Sequence, residues 1–237
     1  SKSHIDKLFV VLRQIFSQAY IDKRIPENPM LSIKPPKMQE NPGRAVTEEE
    51  RSAILHVAKT HRYGRWIRVM LYLGLRPIET AGIQGRDIDL DSNIIHIRGT
   101  KSKKADRYIP IPEIIRDDLA GFRDNEYIFT TKAGNPPDRD RRDDWWNAFK
   151  RDLDLYMGAE TFRNKIVKSV VAEDLTAYCL RHTFGTDAQA AGVPIDVLAD
   201  LMGHEKIETT RRYYIHDNIA SKRRAAELLE SYRNAKK

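Results

Sequence analysis

The amino-acid sequence predicts a mainly α-helical fold with a small antiparallel β-sheet. Apolar residues recur at three- and four-residue steps in several segments, which is the period of amphipathic helices. Two short isoleucine-containing runs, residues 94–98 and 108–111, flank the polar stretch GTKSKKAD and indicate a β-hairpin. Capping residues and helix-ending glycines separate the helical segments from one another.

The N-terminal segment is expected to form one amphipathic helix followed by a linker. Over residues 3–21, seven apolar side chains fall on one face of a helix; they are Ile5, Leu8, Phe9, Leu12, Ile15, Phe16 and Ala19. Prolines then interrupt regular structure, and we assign residues 33–44 to a linker. We expect residues 1–32 to be the last part of a helical domain, because so short a segment buries too little apolar surface to fold alone.

A second domain is expected from residue 45 onward, and its first helices have clear boundary signals. Thr47 and Glu50 form a capping-box pattern, which predicts that a helix begins there. A second helix is predicted over residues 64–73 and ends at Gly74. Pro77 suits the first turn of a new short helix.

The remaining elements follow from the same patterns. Residues 127–130 are expected to add a third strand to the hairpin. Helical periodicity predicts the other elements, over residues 141–156, 179–191, 194–202, 207–215 and 218–235.

Composition favours a polyanionic binding partner and a location inside the cell. Lys and Arg total 41 against 34 Asp and Glu, which gives a formal net charge of +7. This balance is typical of nucleic-acid-binding proteins, although many basic proteins bind no DNA. The single cysteine, Cys179, has no partner for an internal disulfide, and no segment has the pattern of a membrane span or a signal peptide. We therefore expect a cytoplasmic protein with no membrane partner.

Five separate stretches carry side chains suited to phosphoryl transfer: GLRPIE at 74–79, GTK at 99–101, YCLRHTF at 178–184, LMGH at 201–204 and TTRRYYIH at 209–216. Each alone has an ordinary structural interpretation. Together they supply arginines that grip phosphate bidentately, a lysine that protonates a leaving oxygen and a tyrosine nucleophile. This chemistry requires neither metal nor nucleotide. Since the sequence has no Walker A motif or acidic metal cluster, we expect no cofactor.

The order and spacing of these stretches resemble the tyrosine site-specific recombinases, or phage integrases. The resemblance covers residues 45–217, and the separation of nine positions from His204 to Tyr213 (213 − 204 = 9) matches the family's spacing. It implies a recombinase catalytic domain, preceded at 1–32 by the end of the family's helical core-binding domain. It also implies strand cleavage through a 3′-phosphotyrosine intermediate and religation, independent of metal and ATP.

The resemblance gives six residues a role. They are Arg76 and Arg181 as the phosphate clamp, Glu79 as the supporting acid, Lys101 as the general acid, His204 as a phosphate contact and Tyr213 as the nucleophile. One position departs from the family, because Tyr178 stands where a histidine usually helps to accept the nucleophile's proton. A tyrosine with a pKa near ~10 is a poor base at neutral pH. Another group could take the proton; His182 is adjacent, but we expect it to point into the core.

The nucleophile has two candidates. The distance from His204 and the preceding threonine pair favour Tyr213, whereas the family's common Tyr-x-His pattern favours Tyr214, since His216 follows it by two residues. We expect Tyr213 to be the nucleophile.

Further basic residues are expected to contact double-stranded DNA. They are Lys101, Lys103, Lys104 and Arg107 on the hairpin, Arg211 and Arg212 beside the nucleophile, and Lys222, Arg223 and Arg224 on the last helix. The sign-alternating run 138–144 is instead expected to be a solvated helix entrance. The C-terminal segment 218–237 packs on its own domain or docks on a neighbouring protomer, as the family suggests.

The resemblance implies a homotetramer on two DNA duplexes, a monomer or weak dimer without DNA, and association with the nucleoid when bound. Integration or excision of a mobile element is the favoured role. A Xer-like chromosome-dimer resolvase is the alternative within the enzyme class. A catalytically weakened DNA-binding relative is the alternative outside it, since Tyr178 replaces the usual histidine.

Overall fold

The computed structural model describes residues 2–36, 43–99 and 106–214, with side chains from residue 5 to residue 211 of these ranges. The chain divides into two compact units, Ser1–Pro42 and Gly43–Lys237. The predicted helix 218–235, half of the predicted linker (residues 37–42) and the hairpin loop that carries Lys101 lie outside the described residues.

The first unit is one long helix and a short 3-10 turn. Helix α1 spans Lys2–Ile21, which confirms the helix predicted over 3–21, and the 3-10 turn spans Pro29–Leu31. Asn28 caps this turn, because its Oδ1 accepts a hydrogen bond from the backbone N–H of Met30 at 3.0 Å. The Asn28 amide also donates to Ser17 Oγ at 3.2 Å, which ties the turn to α1.

The second unit begins with three helices whose ends are set by local signals. Helix α2 spans Glu48–Ala58, α3 spans Gly64–Leu73 and α4 spans Pro77–Ala81. The predicted capping box at the start of α2 is present: Thr47 Oγ1 accepts from Glu50 N at 3.1 Å, and Glu50 Oε2 accepts from Thr47 N at 2.8 Å.

A three-stranded antiparallel sheet follows, in the order β1-β2-β3. Its strands are β1 Ile88–Asp89, β2 Ile94–Ile97 and β3 Arg107–Pro110. Ile95 faces Ile109 and His96 faces Tyr108, so the predicted hairpin is confirmed.

The third strand predicted at 127–130 was wrong, because the third strand is β1. Tyr127 makes only an isolated bridge to Gln84, and Ile128 donates one backbone hydrogen bond to Ile83 O at 3.1 Å. Ile128 and Phe129 are buried in the core. The apolar run therefore reflects burial of an irregular segment, which periodicity alone does not distinguish from a strand.

The rest of the unit is helical apart from one hairpin. Its elements are α5 Arg139–Tyr156, β4 Glu160–Phe162, β5 Lys165–Lys168, α6 Ala177–Ala190, α7 Ile195–Met202 and α8 Ile207–Tyr214. The four helices confirm those predicted within this segment. The hairpin β4–β5 was not predicted, and its turn places Arg163 and Asn164 in the left-handed region, at φ 49° and 61°. Asparagine tolerates that region but arginine rarely does, so the turn signal was weak.

The core lies where α2, α3 and α5 meet the three-stranded sheet. Its largest fully buried side chains include Ile54, Trp66, Leu73, Ile95 and Phe149. Helix α3 also packs against α6 and α4, which places the ends of three helices close together. No helix in the described part of the chain is long and apolar enough to cross a membrane.

Gly74 provides a test of this arrangement. It ends α3 in the left-handed region, at φ 63°, and a Cβ added there would meet the ring of Phe184. We expect Gly74→Ala to destabilise the protein by roughly 2–5 kcal/mol, the sum of about 1–2 for a left-handed non-glycine residue and about 1–3 for overpacking. Urea unfolding measures this loss.

Gly134→Ala is the matched control, since Gly134 also has a positive φ (78°) but would place its Cβ in open space. It should lose only the backbone contribution of about 1–2 kcal/mol. Equal losses in the two variants would show that Phe184 does not restrict this turn.

Candidate active site

The structure brings together four of the side chains singled out in the sequence: Arg76, Glu79, Arg181 and His204. Arg76 is the N-cap residue of α4, and Glu79 lies in the first turn of that helix. Arg181 lies on α6, and His204 directly follows the C-cap glycine of α7. Three elements that are distant in sequence therefore contribute to one cluster.

The Glu79 carboxylate is the centre of this cluster. Arg76 Nη1 donates to its Oε1 at 2.5 Å and Arg107 Nη2 donates to its Oε2 at 3.1 Å, while Arg181 Nη1 lies 3.8 Å from Oε2. Burial alone would raise the pKa of Glu79, but the charges and hydrogen bonds of Arg107 and Arg76 outweigh it, so that its pKa is lowered. Glu79 is therefore a buried carboxylate that stays ionised and aligns arginines.

Three consecutive carbonyl oxygens at the end of α7 accept hydrogen bonds from the same three arginines. The pairs are Leu201 with Arg107 Nε at 2.8 Å, Met202 with Arg181 Nη2 at 2.5 Å and Gly203 with Arg76 Nη2 at 3.2 Å. Carbonyls in the last turn of a helix lack intrahelical donors and carry partial negative charge. The arginines thus supply the hydrogen-bond donors that the helix end lacks, and the carbonyl oxygens of the helix end hold the guanidinium groups in place.

The three guanidinium groups differ in their access to solvent. The Arg76 side chain is 31% exposed, whereas those of Arg107 and Arg181 are 7% and 5% exposed. Arg181 also donates from Nη1 to Gly74 O at 2.7 Å, which ties α6 to the end of α3. An anion that approaches the cluster therefore meets Arg76 first.

His204 is oriented by a buried threonine. Its Nδ1 lies 2.7 Å from Thr210 Oγ1 on α8, and both residues are buried. Burial, together with the nearby charges of Arg181 and Arg76, lowers the pKa of His204 to about 3. The imidazole is therefore neutral at physiological pH. Thr210 belongs to the TTRRY stretch, but no local pattern predicts its contact with His204, which only the fold creates.

The sequence predicts Arg107 on an exposed basic hairpin, and this prediction is wrong. It is the first residue of β3, and burial alternates along that strand so that Arg107 and Ile109 face inward while Tyr108 and Pro110 face outward. The two-residue period of a strand was the signal that could have found this placement. Arg107 joins the Glu79 cluster and is buried.

Tyr178 lies in the first turn of α6, one turn before Arg181, and is 51% exposed. The neighbouring His182 is partly buried against Gly43, since a Cβ at that glycine would overlap its imidazole. Burial, followed by the charge of Arg181, lowers the pKa of His182. The Tyr178 side chain is therefore accessible to solvent, whereas Gly43 covers the imidazole of His182.

The other predicted residues are placed only in part. Lys101, Lys103 and Lys104 lie outside the described residues, as do the side chains of Arg212, Tyr213 and Tyr214. The backbone of Tyr213 belongs to α8, which also carries Thr210 and the exposed Arg211. The run 138–144 opens α5, where Asp138 Oδ1 accepts from Arg141 N at 2.9 Å as an N-cap. No cluster of metal-ligating residues occurs among the side chains that the structure describes.

Comparison with known proteins gives the family. The model of the phage integrase family matches residues 44–220. The chain is 30% identical over 188 residues to the tyrosine recombinase XerA of Thermococcus kodakarensis, covering 76% of this chain and 61% of that protein. It is 28% identical over 199 residues to XerC of Chlamydia trachomatis, covering 80% of this chain and 59% of that protein. The chain thus spans about three fifths of the length of these relatives.

Solved structures share the fold. The Tn1549 transposon integrase in complex with a circular intermediate DNA matches with a TM-score of 0.70 at 19% identity, over 97% of this chain and 80% of that one. A lambda integrase dimer bound to a core site matches with a TM-score of 0.64 at 15% identity, over 87% of this chain and 57% of that one. The predicted fold class, mainly helical with a small antiparallel sheet, is confirmed.

The lowered pKa of His204 predicts how stability depends on pH. An unfolded histidine titrates near 6.5 and the folded one near 3, so between these values the unfolded state binds more protons and stability falls as the pH falls. Between pH 7 and pH 5, we expect the free energy of unfolding to fall by about 2 kcal/mol less for His204→Gln than for the unsubstituted protein.

Urea unfolding at both pH values measures this difference. His61 and His182, whose pKa values burial also lowers, remain in both proteins and cancel in the comparison. Parallel pH profiles for the two proteins would show that His204 is protonated in the folded state near its ordinary pKa.

Proposed function

Because the chain belongs to the phage integrase family of tyrosine recombinases, we propose that it catalyses site-specific DNA recombination. It cleaves and rejoins DNA strands through a 3′-phosphotyrosine intermediate. The observation that carries this proposal is the convergence of Arg76, Arg181 and His204 on one cluster around Glu79, although they are up to 128 residues apart (204 − 76 = 128). Such a constellation suits one phosphate group better than a structural ion-pair network.

The charge of the cluster supports phosphate binding. Three guanidinium groups surround a single carboxylate, which leaves a net charge of 3 − 1 = +2. A phosphodiester carries one negative charge, and its pentacoordinate transition state carries more on the non-bridging oxygens. Positive groups that are already in place stabilise this charge without reorganisation. Arg76 binds these oxygens from the solvent side, and Arg181 supports them from beneath.

His204 acts as a neutral hydrogen-bond donor. In the tautomer that we propose, Thr210 Oγ1 donates to Nδ1, and the Nε2–H donates to a non-bridging oxygen of the phosphate. The low pKa of His204 favours this role, because an uncharged imidazole keeps one nitrogen as acceptor for Thr210. His204 therefore orients the phosphate and does not act as an acid.

Tyr213 is the proposed nucleophile. Its phenolic oxygen attacks phosphorus, the bond from phosphorus to the 5′-oxygen breaks, and Lys101 protonates the leaving 5′-oxygen. Tyr178 is a poor base, so it hydrogen-bonds to the phosphate and the phenolic proton passes to solvent. Its exposure one turn before Arg181 supports such a contact.

We propose integration or excision of a mobile element as the biological role. The fold it shares with a transposon integrase agrees with this role, whereas the XerA and XerC relatives favour chromosome-dimer resolution as the alternative. The departure at Tyr178 favours a second alternative, a DNA-binding relative with weakened catalysis. The proposed partner is double-stranded DNA, on which four protomers hold two duplexes, and the proposed location is the cytoplasm.

The nucleophile can be tested by trapping. On nicked duplexes that carry the DNA flanking the gene, the unsubstituted protein should form a covalent protein–DNA band that resists denaturation. Tyr213→Phe should reduce this band by at least ~10³-fold, because it removes the attacking oxygen. Tyr214→Phe is the matched control and should leave the band largely intact.

The opposite pattern would assign the nucleophile to Tyr214. If the unsubstituted protein bound these duplexes and formed no covalent band, the DNA-binding relative without catalysis would replace the proposed enzyme.

DNA binding should depend steeply on salt. Each phosphate contact releases counterions, so the slope of log K against log salt concentration is about −0.9 per contact. Arg211→Gln should make this slope shallower by about one contact, because Arg211 is exposed on α8 beside the nucleophile. Fluorescence anisotropy with a labelled duplex measures the slope.

Arg139→Gln is the matched control, since Arg139 is exposed in the sign-alternating run on α5 and 3.9 Å from Asp143. It should leave the slope unchanged. Binding that does not respond to ionic strength would exclude an extensive phosphate interface.

A further inference from the structure

We propose that Arg107 is a positioning residue of the recombination site, which sets where Arg76 and His204 stand relative to the DNA phosphate. This inference rests on the proposed function and adds a residue to it. Arg107 binds the Glu79 carboxylate with one edge of its guanidinium group and the end of α7 with another. It thereby links the acid that holds Arg76 to the helix end that presents His204.

The contacts of Arg107 use the full width of its side chain. Nη2 and Nη1 lie 3.1 and 3.4 Å from the two oxygens of Glu79, and Nε donates to Leu201 O at 2.8 Å. A Cβ added at Gly203 would lie only 2.5 Å from Nη1, so the guanidinium packs directly on the backbone of that glycine. The position of the α7 C-terminus therefore depends on the orientation of the Arg107 guanidinium plane.

Only arginine can make this set of contacts. Its donors lie in a rigid planar fork, whereas a lysine offers one nitrogen at the end of a flexible chain. A lysine at 107 would keep the positive charge but could not bind Glu79 and Leu201 O with the same geometry. Arg107→Lys thus separates the positioning role from the charge.

The sharing of Glu79 shows why this position matters to the phosphate site. The Arg107 guanidinium donates to both oxygens of the carboxylate. The Arg76 guanidinium donates to Oε1, and the Arg76 backbone N–H donates to Oε2. If Arg107 withdrew, the unshared charge of Glu79 would draw Arg76 and Arg181 inward, away from the phosphate. The carbonyls of α7 would also lose one of the three donors that hold them.

Arg107 does not itself contact the phosphate in this proposal. Its side chain is almost fully buried, and its described contacts are to groups of the protein. A residue that acts through others should affect the rate of cleavage more than the affinity for DNA. A misplacement of about 1 Å in a catalytic group can cost ~10²-fold in rate.

The test compares Arg107→Lys with the unsubstituted protein on the nicked duplexes described above. We expect single-turnover formation of the covalent band to slow by ~10²-fold. The dissociation constant for DNA and the salt slope should stay close to their original values. Loss of buried hydrogen bonds should lower the melting temperature, so the cleavage rate is measured well below it. Arg98→Lys is the matched control, because Arg98 is a partly exposed arginine at the end of β2 that pairs with Asp87, and it should cleave within about twofold of the original rate.

A second variant keeps the test independent of how well a lysine is accommodated. Gly203→Ala places its Cβ against Arg107 Nη1 and, because Gly203 has φ 61°, also strains the backbone. Its cleavage rate is therefore measured at a temperature where circular dichroism shows it folded, and there cleavage should be slow and DNA binding retained. Combining Arg107→Lys with Glu79→Gln should slow cleavage by less than the product of the two single effects, because both act through one contact.

Three results would overturn the proposal. They are unchanged cleavage in Arg107→Lys, a salt slope that becomes shallower by one contact in the uncharged variant Arg107→Gln, which would place Arg107 on the phosphate, and a loss of cleavage that merely follows a loss of folding or binding. Failure of the proposed function is distinguishable, since the unsubstituted protein would then form no covalent band at all.

Discussion

The architecture of the site depends on one buried carboxylate. Glu79 lies among the guanidinium groups of Arg76, Arg107 and Arg181, which come from the α3–α4 turn, β3 and α6. Three like charges so close together would repel one another, and each would be costly to bury without a partner. The carboxylate offsets this cost and remains ionised because two of the arginines bind it directly. Elements that share no sequence neighbourhood are thereby held at one point.

Helix α7 completes the arrangement from the opposite side. Its last carbonyls accept from the three arginines, and Gly203 turns the chain through the left-handed region at φ 61°, which brings His204 over the same cluster. Thr210 on α8 then fixes the imidazole ring. Because α8 also carries the backbone of Tyr213, His204 and the proposed nucleophile belong to one continuous segment of the chain. A shift of α7 would therefore disturb both.

The sequence predicted the helices well because their signals are local: the Thr47–Glu50 capping box and Gly74 lie at the ends that the structure shows. The motif residues Arg76, Arg181 and His204 were selected by spacing, and the fold brings them together. The errors concern signals that depend on burial. Residues 127–130 are apolar because they enter the core without pairing as a strand. The charge of Arg107 predicts a surface position, whereas the alternation of the strand turns it inward. The contact of Thr210 with His204 is tertiary, and no local pattern encodes it.

The surplus of positive charge around Glu79 has a consequence for the protein when no DNA is bound. A cluster with two more cations than carboxylates raises the free energy of the native state, and a bound anion lowers it. The charges of this cluster therefore favour anion binding and lower the stability of the folded protein. By the function proposed above, a chain without one of these arginines would fold more readily but would bind a DNA phosphate less tightly. The native state without a bound anion therefore retains the repulsion between its arginines.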